Sequence, residues 1–128
     1  MKVKEVMLDP ITIEPDATVI ETIKKMYDKG FGSMIIVDEN KKLVGIITER
    51  DIVWFLAKNE NIRAQINKIM TKKVICVSSS DTLNDAAELM KENKIKRLPV
   101  TERGKVVGVI TADVLIQNKD SLDEPFLF

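Results

Sequence analysis

The sequence predicts an α+β fold (mixed α/β) in which one strand–helix–strand–strand–helix unit is built twice. The first observation is an internal repeat. Asp16–Met26 aligns with Ser80–Met90 at an offset of 64, so that Thr18 meets Thr82, Val19 meets Leu83, Glu21 meets Asp85 and Met26 meets Met90. Further on, Leu43–Thr48 (LVGIIT) aligns with Val106–Thr111 (VVGVIT) at an offset of 63, and ahead of both, Val6-Met7 aligns with Ile69-Met70. The second observation is composition: 16 Ile and 13 Val against 5% aromatics is a β-branched excess, which suits strands in a buried sheet. The third is size. At 128 residues the chain can bury one sizeable core, whereas a half of roughly 60 residues would be marginal alone, so the two halves are expected to pack together.

Each element has a local signal. Ile11–Ile13 is a short opening strand. Thr18-Val-Ile-Glu21 is a capping box with Pro15 just upstream; Val19, Ile20, Ile23, Met26 and Tyr27 follow at helical spacing, and Gly30 is placed to stop the helix. Ser33–Asp38 and Leu43–Thr48 are short apolar runs around the polar turn Glu39-Asn40-Lys41-Lys42, a hairpin. A helix is expected from Arg50 to about Lys58, and Asn59–Gln65 is a linker too short to separate independent domains. The second half repeats the order: a short strand around Ile75 and Cys76, a helix with the stripe Leu83, Ala86, Ala87 and Met90, a hairpin of Leu98–Thr101 and Val106–Thr111 around Arg103-Gly104, and a helix from about Asp113 to Asn118. The halves divide at 60/61, the second carrying the tail after Lys119. That tail has no periodicity but ends Pro125-Phe-Leu-Phe128, and three large apolar residues are expected to dock in a groove rather than stay in water, a frayed terminus being the alternative.

Charge and side-chain chemistry exclude several functions. Lys plus Arg is 20 and Asp plus Glu is 20; residues 1–64 carry 10 basic and 11 acidic side chains and residues 65–128 carry 10 and 9, so nothing in the composition marks a nucleic-acid binder. With no histidine there is no His-based nucleophile pair and no His-containing metal site, and the single cysteine, Cys76, can form neither an internal disulfide nor a thiolate cluster. Cys76 has no activating neighbour in sequence and is expected in the core. Gly30-Phe-Gly32 lacks the Gly-Lys-Ser/Thr of a phosphate loop, and pairs such as Asp38-Glu39 sit in turns as solvated charge. No enzymatic activity is expected. No apolar run approaches a membrane span and the N-terminus lacks an apolar leader core, so the expectation is a soluble cytoplasmic protein without a membrane partner.

The duplicated pattern, VM…TIEPDATVIETIKKM…GSMIIVDENKKLVGIITERDI in the first half and IMTKKVICVSSSDTLNDAAELMKENKIKRLPVTERGKVVGVITADVL in the second, resembles the CBS domain, and the chain as a whole resembles a CBS pair, or Bateman module, over about residues 1–118. The resemblance implies two β-α-β-β-α CBS repeats related by a pseudo-twofold axis, with two clefts between them that typically bind adenosine derivatives. It also implies a homodimer and a regulatory role.

A nucleotide requires a carboxylate for the ribose hydroxyls, cations or hydroxyls for phosphate, and an apolar slot for the base. Thr48-Glu49-Arg50-Asp51 ends a strand and opens a helix, where backbone N–H groups favour anions; the residues alone favour the reading in which Asp51 only complements the helix dipole over one in which it binds a ligand. The family motif matched by Gly45-Ile-Ile-Thr48-x-x-Asp51 implies that Asp51 contacts ribose and that Thr48 lies near the phosphate. The facing residues implied from the other half are Ile75, Cys76, Lys96, Arg97, Leu98 and Pro99. Of these, Pro99 can wall an apolar slot and Arg97 can hold a phosphate bidentately, the alternative for Lys96 and Arg97 being a solvated strand edge. With Arg50 these would put three cations around one cleft. A second site would pair Thr111 and Asp113 with Ile13, Gly32, Ser33 and Met34. It departs from the pattern twice: Thr111-Ala-Asp113 is one residue shorter, turning the carboxylate by ~100°, and Ser33 stands where the other half has Arg97.

The expected ligand is therefore an adenosine compound such as AMP, ADP, ATP or S-adenosylmethionine, bound as a regulatory ligand and not as a catalytic cofactor. A ligand-free scaffold that binds a partner protein is the rival reading. The helix Ile52-Val53-Trp54-Phe55-Leu56 is apolar over most of its surface, which places it in a subunit interface.

Overall fold

A computed structural model describes residues 1–59 and 61–123. The segment 126–128, expected to dock in a groove, lies outside the described residues. The chain forms two compact units, Ile11–Val74, and Met1–Pro10 with the described part of Ile75–Phe128.

In the unit Ile11–Val74 the elements run β1 (Thr12–Ile13), α1 (Val19–Lys29), β2 (Ser33–Val37), β3 (Leu43–Thr48) and α2 (Glu49–Asn59). The sheet order is β1-β2-β3, with β1 parallel and β3 antiparallel to β2. Helix α1 begins at Thr18, whose hydroxyl accepts the Glu21 N–H while the Glu21 side chain returns to the Thr18 backbone, and it ends where Gly30 turns left-handed at φ 73°. Met34, Ile36, Ile47, Val19 and Ile66 are the buried centre.

The other unit repeats this with β4 (Val77–Ser78), α3 (Leu83–Asn93), β5 (Arg97–Glu102), β6 (Lys105–Thr111) and α4 (Ala112–Gln117). Thr82 and Asp85 cap α3 reciprocally, as Thr18 and Glu21 cap α1. The β5–β6 turn places both Arg103 and Gly104 at positive φ, the tight-hairpin geometry expected of that pair. Leu98, Val100, Ile110, Leu83, Met90 and Leu115 form the core. Strand β4 starts two residues later than expected. Val77, opposite Val100 in the register, is 2% exposed, so the alternation turns Cys76 outward. Cys76 is therefore exposed rather than in the core.

The compact units do not follow the repeat boundary at 60/61. The segment preceding each repeat packs on the other one, and hydrogen bonding explains why. The first N–H groups of α1 have no intrahelical acceptor; Val19 N–H donates to Ala64 O and Ile20 N–H to Ile62 O, both at 2.9 Å. At α3, Leu83 N–H donates to Met1 O at 3.0 Å. Ile66 and Val3, at matching positions in these two segments, are both fully buried. Bridges Ile46–Thr71 and Leu8–Val109 then continue each segment along the sheet edge. Beside them a Cβ on Gly45 would lie 2.6 Å from Met70 Sδ, and one on Gly108 would lie 2.6 Å from Met7 Sδ. The repeated Met and the repeated Gly are thus two halves of one contact, made once in each unit.

Candidate functional site

The corner where β3 runs into α2 gathers the first group of predicted residues. Ser33 and Thr48 are register partners across β2 and β3, and Met34 pairs with Ile47. Gly32 O accepts the Glu49 N–H at 3.0 Å, which fixes the loop before β2 against the start of α2. Thr48 caps α2: the Asp51 N–H donates to Thr48 Oγ1 at 3.2 Å and the Thr48 N–H donates to Asp51 Oδ2 at 2.9 Å. The carboxylate is half-buried and held at the helix start, the placement in which oriented N–H groups favour negative charge. Ile13 lies one strand away, paired with Ile36. Met34 is 1% exposed, so its side chain belongs to the core. Arg50 leaves this corner: its guanidinium carbon stands 4.2 Å from the Trp54 ring centroid, a cation–π stack along the outer face of α2.

The equivalent corner of the other unit gathers the rest. Arg97 pairs with Thr111 across β5 and β6, and Lys96 O accepts the Ala112 N–H at 2.9 Å. Leu98 is fully buried in the core of its unit, and Ile75 packs against the same core; Pro99, the next residue along the strand, is also buried. Cys76, exposed, accepts a long contact of 3.9 Å from Thr101 Oγ1. Arg97 is half-buried, and burial pulls its guanidinium below the usual arginine value, opposed by the attraction of Asp113. Thr111 caps α4 by accepting the Val114 N–H at 3.2 Å.

The two corners differ in one position. Val37 pairs with Leu43 in the first hairpin and Thr101 with Val106 in the second, so the residue missing from the second repeat is lost in the hairpin turn. Thr111 therefore stands where Thr48 stands, and the third helical position holds Val114 in place of Asp51. Asp113 occupies the position of Arg50 and is exposed. The shortened Thr-to-Asp spacing is thus a substitution at the third helical position and not a deletion at the helix start. Position by position, the first corner carries Ser33, Arg50 and Asp51, and the second Arg97, Asp113 and Val114.

Two features of the first unit escaped the sequence. An apolar groove of about 620 Å³ runs between α1 and α2, lined by residues including Ile23, Tyr27, Phe31, Val53 and Leu56, with Glu49 at one end. The reciprocal Thr48–Asp51 bonding also went unread; its signal was the same Thr-x-x-acid spacing that identified the caps of α1 and α3. Among the described residues no helix is long and apolar enough to cross a membrane.

Comparison with known proteins matches the CBS domain model to residues 3–58 and again to 66–119. An uncharacterized 17.7 kDa protein of Acidianus ambivalens is 36% identical over 100 residues, 77% of this chain and 60% of that one. Inosine-5'-monophosphate dehydrogenase of Methanocaldococcus jannaschii is 36% identical over 121 residues, 92% of this chain but 24% of the enzyme. The chain thus spans about three-fifths of one relative and a quarter of the other. Among solved structures, the CBS domain pair of protein MJ0100, in complex with 5'-methylthioadenosine and S-adenosyl-L-methionine, superposes with a TM-score of 0.81 at 31% identity, covering 94% of this chain and 96% of that one.

Proposed function

Because this chain belongs to the CBS domain family, we propose that it is a regulatory module that binds an adenosine-type nucleotide and performs no chemistry of its own. The observation that carries this is the Thr48–Asp51 corner, a carboxylate and a hydroxyl locked together at a strand-to-helix junction. A carboxylate fixed in this way can accept from the two vicinal hydroxyls of a ribose without ordering itself at the moment of binding. The adenosine compounds bound by the MJ0100 pair, 31% identical to this chain, support the ligand class. In this reading Asp51 takes the ribose and Thr48 lies near the phosphate, and Arg97 and Lys96 are read as phosphate-binding cations. Arg50 plays a lesser part, since it stacks on Trp54. The corner at Thr111 presents Val114 where a ribose carboxylate would be needed, which favours one nucleotide per chain.

The module is further read as a cytoplasmic homodimer. Val53 is 61% and Trp54 59% exposed beside the α1–α2 groove, and apolar area of this kind is normally covered. A second copy is the covering surface proposed.

Thermal-shift measurement with AMP, ADP, ATP and S-adenosylmethionine tests the function. At least one of these should raise the melting temperature with a saturating concentration dependence. No response to any of them, confirmed by calorimetry, would overturn the reading in favour of a ligand-free scaffold for a partner protein.

A further inference from the structure

The second corner carries a base on the strand, Arg97, and an acid on the helix, Asp113, a combination that the first corner lacks. Lys96 O is hydrogen-bonded to the Ala112 N–H at 2.9 Å and Arg97 faces Thr111 across the hairpin, so the start of β5 is pinned to the start of α4. Asp113 is the next residue of that helix and is exposed. In the first unit the same two positions hold Ser33 and Arg50, which offer neither the strand cation nor the helix acid. The sequence placed Asp113 in a second site with its carboxylate turned away from the family position; Val114 holds the position that Asp51 has in the first unit, and Asp113 acts electrostatically on the Arg97 guanidinium of its own unit.

From this juxtaposition we propose that Asp113 is a positioning residue for Arg97, and that it sets how strongly the module prefers phosphorylated over unphosphorylated adenosine compounds. The proposal rests on the reading of Arg97 as the phosphate cation. Without ligand, Asp113 gives the half-buried Arg97 a nearby counter-charge, and its attraction opposes the loss of charge that burial favours. A phosphate dianion arriving at Arg97 must share it with that carboxylate. The carboxylate repels the dianion and competes for the guanidinium N–H groups, which lowers the affinity for nucleotides. An uncharged nucleoside meets neither effect. Asp113 thereby holds the preference for phosphate at an intermediate value.

Calorimetry of the full chain with AMP and with adenosine tests this. Removing one exposed charge near a half-buried partner predicts that Asp113→Asn tightens AMP binding by about three- to tenfold, and adenosine binding should stay within about twofold. Asp113→Glu, which keeps the charge, should keep the wild-type ratio of the two affinities, a readout that a purely structural role would not produce. In an Arg97→Ala background the gain from Asp113→Asn should vanish. If Arg97→Ala weakens AMP selectively but Asp113→Asn leaves the ratio unchanged, the inference about Asp113 fails and the phosphate reading stands. A gain that persists without Arg97 also overturns it, since the carboxylate would then act on the ligand directly. If Arg97→Ala weakens AMP and adenosine equally, or if neither compound binds, the underlying reading fails and takes this inference with it.

Discussion

Thr48 and Asp51 hold each other through two hydrogen bonds, Asp51 N–H to Thr48 Oγ1 at 3.2 Å and Thr48 N–H to Asp51 Oδ2 at 2.9 Å. The same side chain therefore has two jobs to be separated by experiment. One is to hold the strand-to-helix junction through the bond from the Thr48 N–H, and the other is to bind the proposed ribose.

For Asp51→Ala the structural part is small: loss of one acid from a first helical turn costs ~0.3–1 kcal/mol. The binding part is larger, because charge-assisted hydrogen bonds contribute roughly 1.5–3 kcal/mol, about tenfold to a hundredfold in affinity. AMP and adenosine should weaken alike, since both carry the ribose. Calorimetry and urea unfolding on the same variant separate the two parts. An unchanged affinity with a small stability loss would reduce Asp51 to a helix cap.

Gly45→Ala and Gly108→Ala should each destabilise the chain by about 1–3 kcal/mol, the usual cost of inserting a methyl into a filled space. A Cβ at either site meets a methionine sulfur at 2.6 Å, and the backbone oxygen of Thr71 or Leu8 at 3.1 Å. Shortening the sulfur side chain should recover part of the loss in the pair Gly45→Ala/Met70→Ala. The backbone oxygen keeps the recovery incomplete. Denaturant midpoints of the single and double variants measure both effects.

Trp54→Asp should weaken the proposed homodimer and leave the monomer folded, because Trp54 is 59% exposed and makes its recorded ring contact with Arg50. Phe55 is less suited to the test: it packs against the core of its unit, so a charge there would threaten folding itself. Light scattering at micromolar concentration reads the result. A monomeric wild type would remove the dimer from the proposal.

Asp85 carries a pH-dependent part of the stability. Bonds from the Thr82 backbone N–H and then from the Thr82 hydroxyl hold its carboxyl below the usual value; burial opposes them and Lys2 adds the smallest lowering contribution. A carboxyl depressed in the folded state stabilises above its unfolded pKa, about 4, and that contribution disappears as pH falls through the lower folded value. Asp85→Asn should therefore be less stable than wild type at neutral pH, and the difference should shrink as the medium is acidified below about pH 4. Parallel melting curves at several acid pH values check this. A constant difference would mean that the side chain acts through shape alone.

Much of the fold was legible because its signals are local. Thr18-x-x-Glu21 and Thr82-x-x-Asp85 specify helix starts by bonds that span three residues, Gly30 meets a left-handed stop that costs a residue with a Cβ more, and Arg103-Gly104 forms a two-residue turn. Each of these depends only on residues within one turn of chain, so the order of elements and the duplication could be read directly. The candidate residues Thr48 and Asp51 belong to the same class, being three apart and on one helix start.

What sequence reading placed wrongly or left open depended on partners far along the chain. Cys76 was expected inside, but the pairing of Val77 with Val100 decides which side of the strand faces the core. The offset change from 64 to 63 was visible in the sequence; only the strand registers locate the lost residue in a hairpin turn, and thus make Val114 rather than Asp113 the equivalent of Asp51. The division of the chain into units at 10/11 and 74/75 follows from orphaned N–H groups of α1 and α3 that find carbonyls in segments more than 40 residues away. Sequence alone determined the elements, the repeat and the chemical type of each candidate side chain, because these follow from propensities and short-range hydrogen bonds. Tertiary structure decided which face is buried, which residues are equivalent between the repeats and which charge stands near Arg97, because long-range pairing and the satisfaction of every buried polar group leave the chain only that arrangement.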